Sequence, residues 1–503
     1  MKVSIFGSCR QQPLLSHYIG TSIQEALTYP HYTKEIIQAI EFCKGMPISS
    51  LTTQHCFRTG ILENRPITNQ AGLQKEYEES NVIVVEIASR ISYEWNHVYM
   101  HHIATEEQYG FHDLSQIHVG QSPPRDRHAI VQRDLTDEEI EADIWRIKQL
   151  VQGESSPKKL LIASHIYTKE QGKRYELIKL VERLCLKYDI AFLSPSEYLA
   201  HESGVYQEEP ILAHYTDKGK EIIGHVYKDA IENLFKPYTV VLVVKQQYEN
   251  VPQTSTSNFW GIGDMIRSIY GMYKKSKYSN FKLRIDLSRH PIAPFLIHST
   301  TTLPVDLHTI PFIVNDGIDA YIQSTLSTQN TVYMGAHCNL QAYDPCEHDT
   351  LIKILMKRHI RPNHVFTSFI NEHMQCIQSI SNATVLHYRL GDSELVNGII
   401  DTNKLDTYYS HLVTHMTEHS ILLTDSSAFK SFVKEKGCMI AMFDHVIGHT
   451  GYDSSYDKIK HSLFEFFIIS KVKQIKTYSI YEWISGFVYS IHKLFDIPLA
   501  SIR

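Results

Sequence analysis

The sequence predicts an α/β protein of two domains, each built on parallel sheets covered by helices. Three observations predict it. The run Asn81–Ile87 (NVIVVEI) is apolar at nearly every position, as a strand covered on both faces must be. Such runs alternate with stretches of helical period, Lys34–Phe42 among them, which is the pattern of βαβ winding. The 503 residues exceed one ordinary core, and the chain breaks at Lys236-Pro237, where a proline ends a helix and a fresh apolar run begins. The expected domains are residues 1–236 and 237–503.

Residues 2–6 (KVSIF) read as the first strand, and Gly7-Ser8-Cys9-Arg10 as the turn after it. Residues 13–45 read as mostly helical or looped. Residues 93–135 are rich in His, Tyr, Gln and Pro without a clear period, and read as a long functional loop or insertion. Thr136-Asp-Glu-Glu139 is a capping box that opens a helix to about Val151. Lys159–Ala163 follows as a strand, then a helix near 169–187, the strand Ile190–Leu193 and a final helix from Lys218 to about Phe235. The second domain opens on the strand Thr239–Val244.

Hydrophobic content of 43% and charged content of 21% are globular values. A net charge of −6 argues against a nonspecific nucleic-acid binder, which needs a basic stripe. The first residues turn polar too soon for a signal peptide. No apolar run approaches the roughly 20 residues of a membrane helix. Eight cysteines without a C-x-x-C pair suit a reducing compartment. A cytoplasmic protein without a membrane span is expected. His337, Cys338, Cys346 and His348 offer zinc-ligand types, but their spacing matches no common site, and no metal ligands are expected.

The most informative stretch is Val385–Glu394 (VLHYRLGDSE). Apolar residues lead into it, so it reads as a buried strand ending in a charged turn. Ligands of open α/β sheets sit beyond the carboxyl ends of the strands, where His387, Arg389 and Asp392 would face a cleft. A guanidinium there offers a planar fork of donors suited to a diphosphate. Gly391 permits a tight turn. The plainer alternative is a strand end with a surface salt bridge.

The pattern His-x-Arg-x-Gly-Asp resembles the motif of α1,2- and α1,6-fucosyltransferases and related GT-B enzymes. Asn258–Arg267 (NFWGIGDMIR) is similar to their opening glycine loop and helix, with the strand Lys282–Asp286 after it. Ile421–Ser427 (ILLTDSS) looks like their later strand and Asp-Ser turn, and Phe466–Phe487 like a strand before a Ser-rich helix start. The resemblance spans most of residues 238–503. It implies a GT-B-like domain of two Rossmann-like halves that transfers a sugar to a glycan hydroxyl with inversion. The implied donor is GDP-fucose, with no cofactor and no metal required; no Asp-x-Asp metal motif is present. Arg389 would neutralise the leaving diphosphate, supported by His387, and Asp392 or Glu394 would take the acceptor proton. Gly261, Gly263 and Asp264 would form the loop facing acceptor and donor. Asp425 and Ser426 would bind base or ribose, or else form an ordinary Asx turn. Ser479, Ser485 and Trp483 would approach the phosphates, or else pack in the core. Many relatives carry a second arginine where this chain has Leu390.

In the first domain, a serine just after the first strand (Ser8) and a histidine just before the last helix (His214) resemble the SGNH hydrolases that open with Gly-Ser-Cys. The resemblance implies a flavodoxin-like (SGNH-type) parallel sheet, with Ser8 as nucleophile, its own amide in the oxyanion hole and His214 as base. The chain departs from that pattern. Ile211 stands where the family has aspartate, leaving Glu208 or Glu209 as substitutes, and no Gly-x-Asn-Asp segment is present. Ser89 or Arg90 would lie at that rim instead, and Arg10 and Arg90 would bind an anion or pair with surface carboxylates. Taken together, the sequence implies a bifunctional glycan-modifying enzyme, a sugar transferase joined to a glycan O-acyl esterase or acyltransferase. Its partners would be a sugar nucleotide and a glycan acceptor. The alternatives are a single-activity glycosyltransferase with a non-catalytic N-terminal binding domain, or an esterase with a degenerate carbohydrate-binding C-terminal domain.

Overall fold

The computed structural model describes residues 1–27, 29–48, 56–63, 67, 69–105, 130–153, 157–207, 214–246, 259–297, 309–374, 380–391, 401–451 and 455–502. The chain divides into two compact units, Met1–Phe235 and Lys236–Arg503.

The strands of the first unit are β1 (Lys2–Phe6), β2 (Ile19–Gly20), β3 (Val82–Ile87), β4 (Ile91–Trp95), β5 (Val98–Tyr99), β6 (Val131–Asp134), β7 (Lys159–Ser164) and β8 (Ala191–Leu193). Five of them form a parallel sheet in the order β2-β1-β3-β7-β8. All six residues of β3 are buried, which explains its unbroken apolar character. Phe6, Ile83 and Val85 on the sheet pack with Ile36, Ile40, Ile144 and Ile147 from the flanking helices Thr33–Cys43 and Asp137–Gln152. Thr136 and Glu139 form the capping box read from the sequence, with both reciprocal hydrogen bonds in place. The order of strands reverses between β1 and β3, so a crevice opens beyond their carboxyl ends.

The segment read as one long loop carries strands in its described parts, 93–105 and 130–135, because β4, β5 and β6 pair with one another; residues 106–129 lie outside the described residues. Strands β4, β5 and β6 pair antiparallel. Asn96 and His97 both adopt left-handed backbone (φ 47 and 62), as a two-residue hairpin turn between β4 and β5 requires. Asparagine tolerates that conformation, and the β-prone ISYEW before it supplies the strand.

The second unit holds two parallel sheets. Strands β9 (Tyr238–Val243), β10 (Phe281–Asp286), β11 (Phe312–Val314) and β12 (Thr331–His337) run in the order β10-β9-β12-β11. Strands β13 (Thr384–Arg389), β14 (Ser420–Thr424), β15 (Ala441–Met442), β16 (Gln474–Ser479) and β17 (Leu499–Ser501) run in the order β15-β14-β13-β16-β17. The switch point of the latter sheet falls between β13 and β16, which places the end of β13 where ligands collect.

The two sheets meet through helices Ile262–Lys277 and Gly486–Phe495. Their contact needs a glycine. A Cβ on Gly263 would fall 2.6 Å from the Phe487 backbone nitrogen and closer still to the Gly486 carbonyl. Ser490 Oγ donates to the Gly263 carbonyl at 2.9 Å and locks the pair. Among the described residues no helix is long and apolar enough to cross a membrane, and Cys9, Cys43, Cys56, Cys185, Cys338, Cys346 and Cys438 are free thiols.

Candidate functional site

Eight of the residues singled out in the second domain line one cleft of about 520 Å³: Gly261, Gly263, Asp264, His387, Arg389, Asp425, Trp483 and Ser485. They come from both sheets. Gly261 and its neighbours open the helix after β9, His387 and Arg389 end β13, and Asp425 follows β14.

Arg389 is held by Asp425, Nη1 to Oδ2 at 2.6 Å. The same carboxylate accepts the Leu390 N–H at 2.8 Å and the Gly391 N–H at 3.3 Å. Gly391 sits at φ 123, where a side chain would be strained and its Cβ would fall 2.8 Å from Ile480 Cδ1. One aspartate thus fixes both the guanidinium and the turn that carries it. Burial raises the Asp425 pKa, against the pull of Arg389 and the two backbone donors. His387 is buried, and its Nδ1 lies 3.1 Å from Thr477 Oγ1. Burial, then the charge of Arg389, pushes its pKa down to about 4, so the imidazole is neutral near pH 7.

The opposite wall was only partly legible. Arg267 donates to Asp264 Oδ1 at 2.6 Å and, through Nε, to the Cys338 carbonyl at 2.7 Å. Its Nη2 also lies 2.9 Å from His337 Nε2. Trp260 stacks on His337 with ring centroids 4.0 Å apart, and its indole Nε1 is buried without a hydrogen-bond partner. A donor left unsatisfied in a cleft wall awaits an acceptor. Tyr481 stacks on Trp483 at 5.0 Å and adds a second aromatic surface. The cleft therefore offers two guanidinium groups, flat aromatic faces and a spare N–H donor.

Sequence reasoning missed Arg267, Trp260, Tyr481 and Glu465 as lining residues. Arg267 and Trp260 sit inside the glycine-loop segment, and the spacing of Asp264 and Arg267 (i, i+3 on a helix) was the available signal. Glu465 comes from the helix Tyr456–Ile469 and pairs with His445 at 3.0 Å, a contact no local pattern reveals.

Other expected residues play different parts. Ser426 is fully buried, and its Oγ accepts from the Phe429 N–H at 2.9 Å as the cap of helix Ser427–Glu435. Ser479 accepts from the Tyr481 N–H at 3.2 Å and shapes the turn that presents Tyr481. Neither lines the cleft, whereas Trp483 and Ser485 do. Asp392 and Glu394 lie outside the described residues. His337 packs against Trp260 and Arg267, while Cys346 bonds to Asp349 at 3.1 Å, so those neighbours in sequence serve separate contacts.

In the first unit, Ser8 follows β1 and its main-chain N–H donates to Glu86 Oε2 at 2.5 Å. The other oxygen of Glu86 lies 2.7 Å from Nδ1 of His165, which follows β7. Burial alone would raise the Glu86 pKa, but hydrogen bonds and charge from His165, with hydrogen bonds from Ser8, bring it down to about 2. His165 is lowered by burial. The neutral imidazole therefore donates to the ionised carboxylate. Ser8 is 3% exposed, and its Oγ accepts from the Arg10 N–H at 3.3 Å. No hydrogen bond joins Ser8 to His214, the expected base. The His214 carbonyl accepts the Gln207 N–H at 2.8 Å, and the residue lines a groove with Cys9, Arg10 and Gln207. Glu208, Glu209 and Ile211 lie outside the described residues. Arg90 pairs with Asp137, and Ser89 accepts from the Ile91 N–H at 3.0 Å.

Residues 1–119 match the family model of the TviD N-terminal domain. No curated protein matches the chain. Among solved structures the chain is similar to NodZ α-1,6-fucosyltransferase soaked with GDP-fucose, at 13% identity and a TM-score of 0.33, over 52% of this chain and 93% of that one. Fucosyltransferase NodZ from Bradyrhizobium matches at 13% identity and a TM-score of 0.32, over 51% and 92%. A mutant of FUT1 from Arabidopsis thaliana in complex with GDP matches at 12% identity and 0.34, over 55% and 73%. The neighbours are fucosyltransferases over about half of this chain, at scores that make the likeness a loose one.

Proposed function

We propose that the second unit is a glycosyltransferase that moves a sugar, fucose from GDP-fucose, onto a glycan hydroxyl. The observation that carries this reading is the convergence of Arg389 and His387 with the helix start Gly261–Asp264 on one cleft. Both Arg389 and Arg267 are positioned by carboxylates, so neither has to be ordered when an anion arrives. Arg389 then meets charge growing on the leaving diphosphate, and it does so in a partly dry site where such a contact counts most. Neutral His387 supports it without repelling it. The guanine and sugar have the Trp260 and Tyr481–Trp483 faces to lie against, and the indole N–H of Trp260 has an acceptor to gain. The sequence expectation assigned the base to Asp392 or Glu394. Of the described carboxylates lining the cleft, Asp264 is the accessible one, its side chain 32% exposed against 4% for Asp425 and 3% for Glu465.

The first unit enters this reading as a binding domain. An acyl-transfer role for it is not part of this reading, since among the described residues no hydrogen bond joins the Ser8 hydroxyl to an imidazole base, the contact that activates a serine nucleophile. The test is a calorimetric titration of the intact chain with GDP, UDP, CDP and their sugars, with EDTA present. Selective GDP binding that Arg389→Ala weakens at least tenfold is the expected result. Binding to none of them, or binding indifferent to Arg389, would remove the donor assignment.

A further inference from the structure

The first unit carries a histidine cluster that the reading above leaves unused. His31, His101 and His102 each offer a ring nitrogen, and these atoms all lie within 4.8 Å of one another. Their ring centroids are 4.3–4.9 Å apart. Three imidazoles packed together bring polar atoms out of water and need partners for them.

The scaffold around the rings is rigid. The His31 carbonyl accepts the Ala88 and Ser89 N–H groups at 2.9 and 3.0 Å, just beyond the carboxyl end of β3. Its own N–H donates to the buried Glu35 at 2.8 Å. The His101 N–H donates to the Cys56 carbonyl at 2.9 Å. Tyr32 ties the two segments together by donating to the Tyr93 and Met100 carbonyls at 2.9 and 2.8 Å.

Two details point to a ligand. The Nε2 of the fully buried His101 lies 3.2 Å from the Tyr29 carbonyl. A proton there puts the lone pair on Nδ1, which accepts only a long bond from the Ile103 N–H at 3.3 Å that an ion would replace; a backbone-anchored tautomer of this kind is the usual state of a metal-ligating histidine. Moreover, His31 Nδ1 is shielded from solvent and has no hydrogen-bond partner. An orphaned nitrogen of this kind is unfavourable until it gains a partner.

We infer that His31, His101 and His102 bind a divalent transition-metal ion of the zinc type at the carboxyl edge of the N-terminal sheet. Three imidazoles with a position left open form the donor set of a reactive site, where water or a ligand oxygen takes the fourth place. Zinc–nitrogen bonds of about 2.0–2.1 Å set tetrahedral nitrogens about 3.4 Å apart, so the ion draws the rings inward by side-chain rotation. Glu86, which accepts the Ser8 N–H, and its partner His165 are near enough for their charges to act on His31. The ion thus borders the crevice between β1 and β3. This inference stands apart from the sugar-transfer reading.

The test uses the full chain without a histidine tag, stripped with chelator and dialysed. Titration with Zn²⁺ by calorimetry should give one tight equivalent, and Co²⁺ should give the intense visible bands of a four-coordinate site. His31→Gln and the partly exposed His102→Gln should each lose that equivalent or weaken it at least tenfold, while keeping the native circular dichroism. His415→Gln, in the second unit, should bind as the native chain does. If no tight equivalent is seen, or if both folded variants retain it, the site does not exist. Should one variant unfold, the other decides.

Discussion

Arg389 at the end of β13 and Asp425 beyond β14 meet at 2.6 Å, and the aspartate also holds the two backbone amides that follow the arginine. The pair is nearly shielded from water, with side chains 17% and 4% exposed. Breaking it leaves a buried carboxylate without its countercharge, which is worth far more than a surface ion pair.

Arg389→Ala is therefore expected to lower stability by about 3 kcal/mol, as well as to reduce sugar transfer about 100-fold or more. Asp425→Asn keeps the shape but loses the charge, so the double variant should be less impaired in stability than the sum of the two. Urea denaturation of the four proteins measures that coupling. Strict additivity would mean that the two residues do not act as a unit.

Trp260→Phe keeps an aromatic ring against His337 but removes the orphaned donor. Stability should change little, or rise slightly as an unsatisfied N–H is lost. GDP affinity should drop about tenfold, the scale of one hydrogen bond of roughly 1.5 kcal/mol. Unchanged affinity would show that the indole nitrogen does not meet the ligand.

Gly263→Ala forces a methyl group into the Gly486–Phe487 backbone. Overpacking of this kind costs about 1–3 kcal/mol and should move the helix start that faces the cleft. A lower melting temperature together with weaker GDP binding is expected. A native melting temperature would mean that the two helices have slack between them.

His387 has a folded pKa of about 4, below the roughly 6.5 of an unfolded histidine. The unfolded chain then takes up the proton first. The stabilisation is whole above pH 6.5 and is lost as the pH falls towards 4, by about 3 kcal/mol at most. Asp425, with its raised pKa, tilts stability the other way, so the comparison must be between native and variant chains. His387→Gln should flatten the dependence of the urea midpoint between pH 7.5 and 5. An unchanged slope would show that this histidine does not titrate in that window.

The sequence by itself determined what depends on neighbours along the chain. Burial of β3 follows from its apolar run, the helix start at Asp137 from its capping box, and the strand end at Arg389 from apolar residues running into charge. Gly261, Gly263, Asp264, His387 and Arg389 could be singled out because each stands at such a local boundary. Tertiary structure decided who meets whom. Asp425 looked equally like a ligand or a turn residue, and only the parallel pairing of β13 with β14 showed it to be the clamp on Arg389. Ser8 and His214 sit at plausible ends of their elements, yet the fold gives the Ser8 turn to Glu86 and His165 from β3 and β7. His31 and His101 meet although helices Thr33–Cys43, Arg58–Glu63 and Gln70–Glu79 and the buried strand β3 lie between them in the chain. No period, spacing or composition encodes such a meeting, because it results from long-range packing of surfaces whose partners lie far off in the chain.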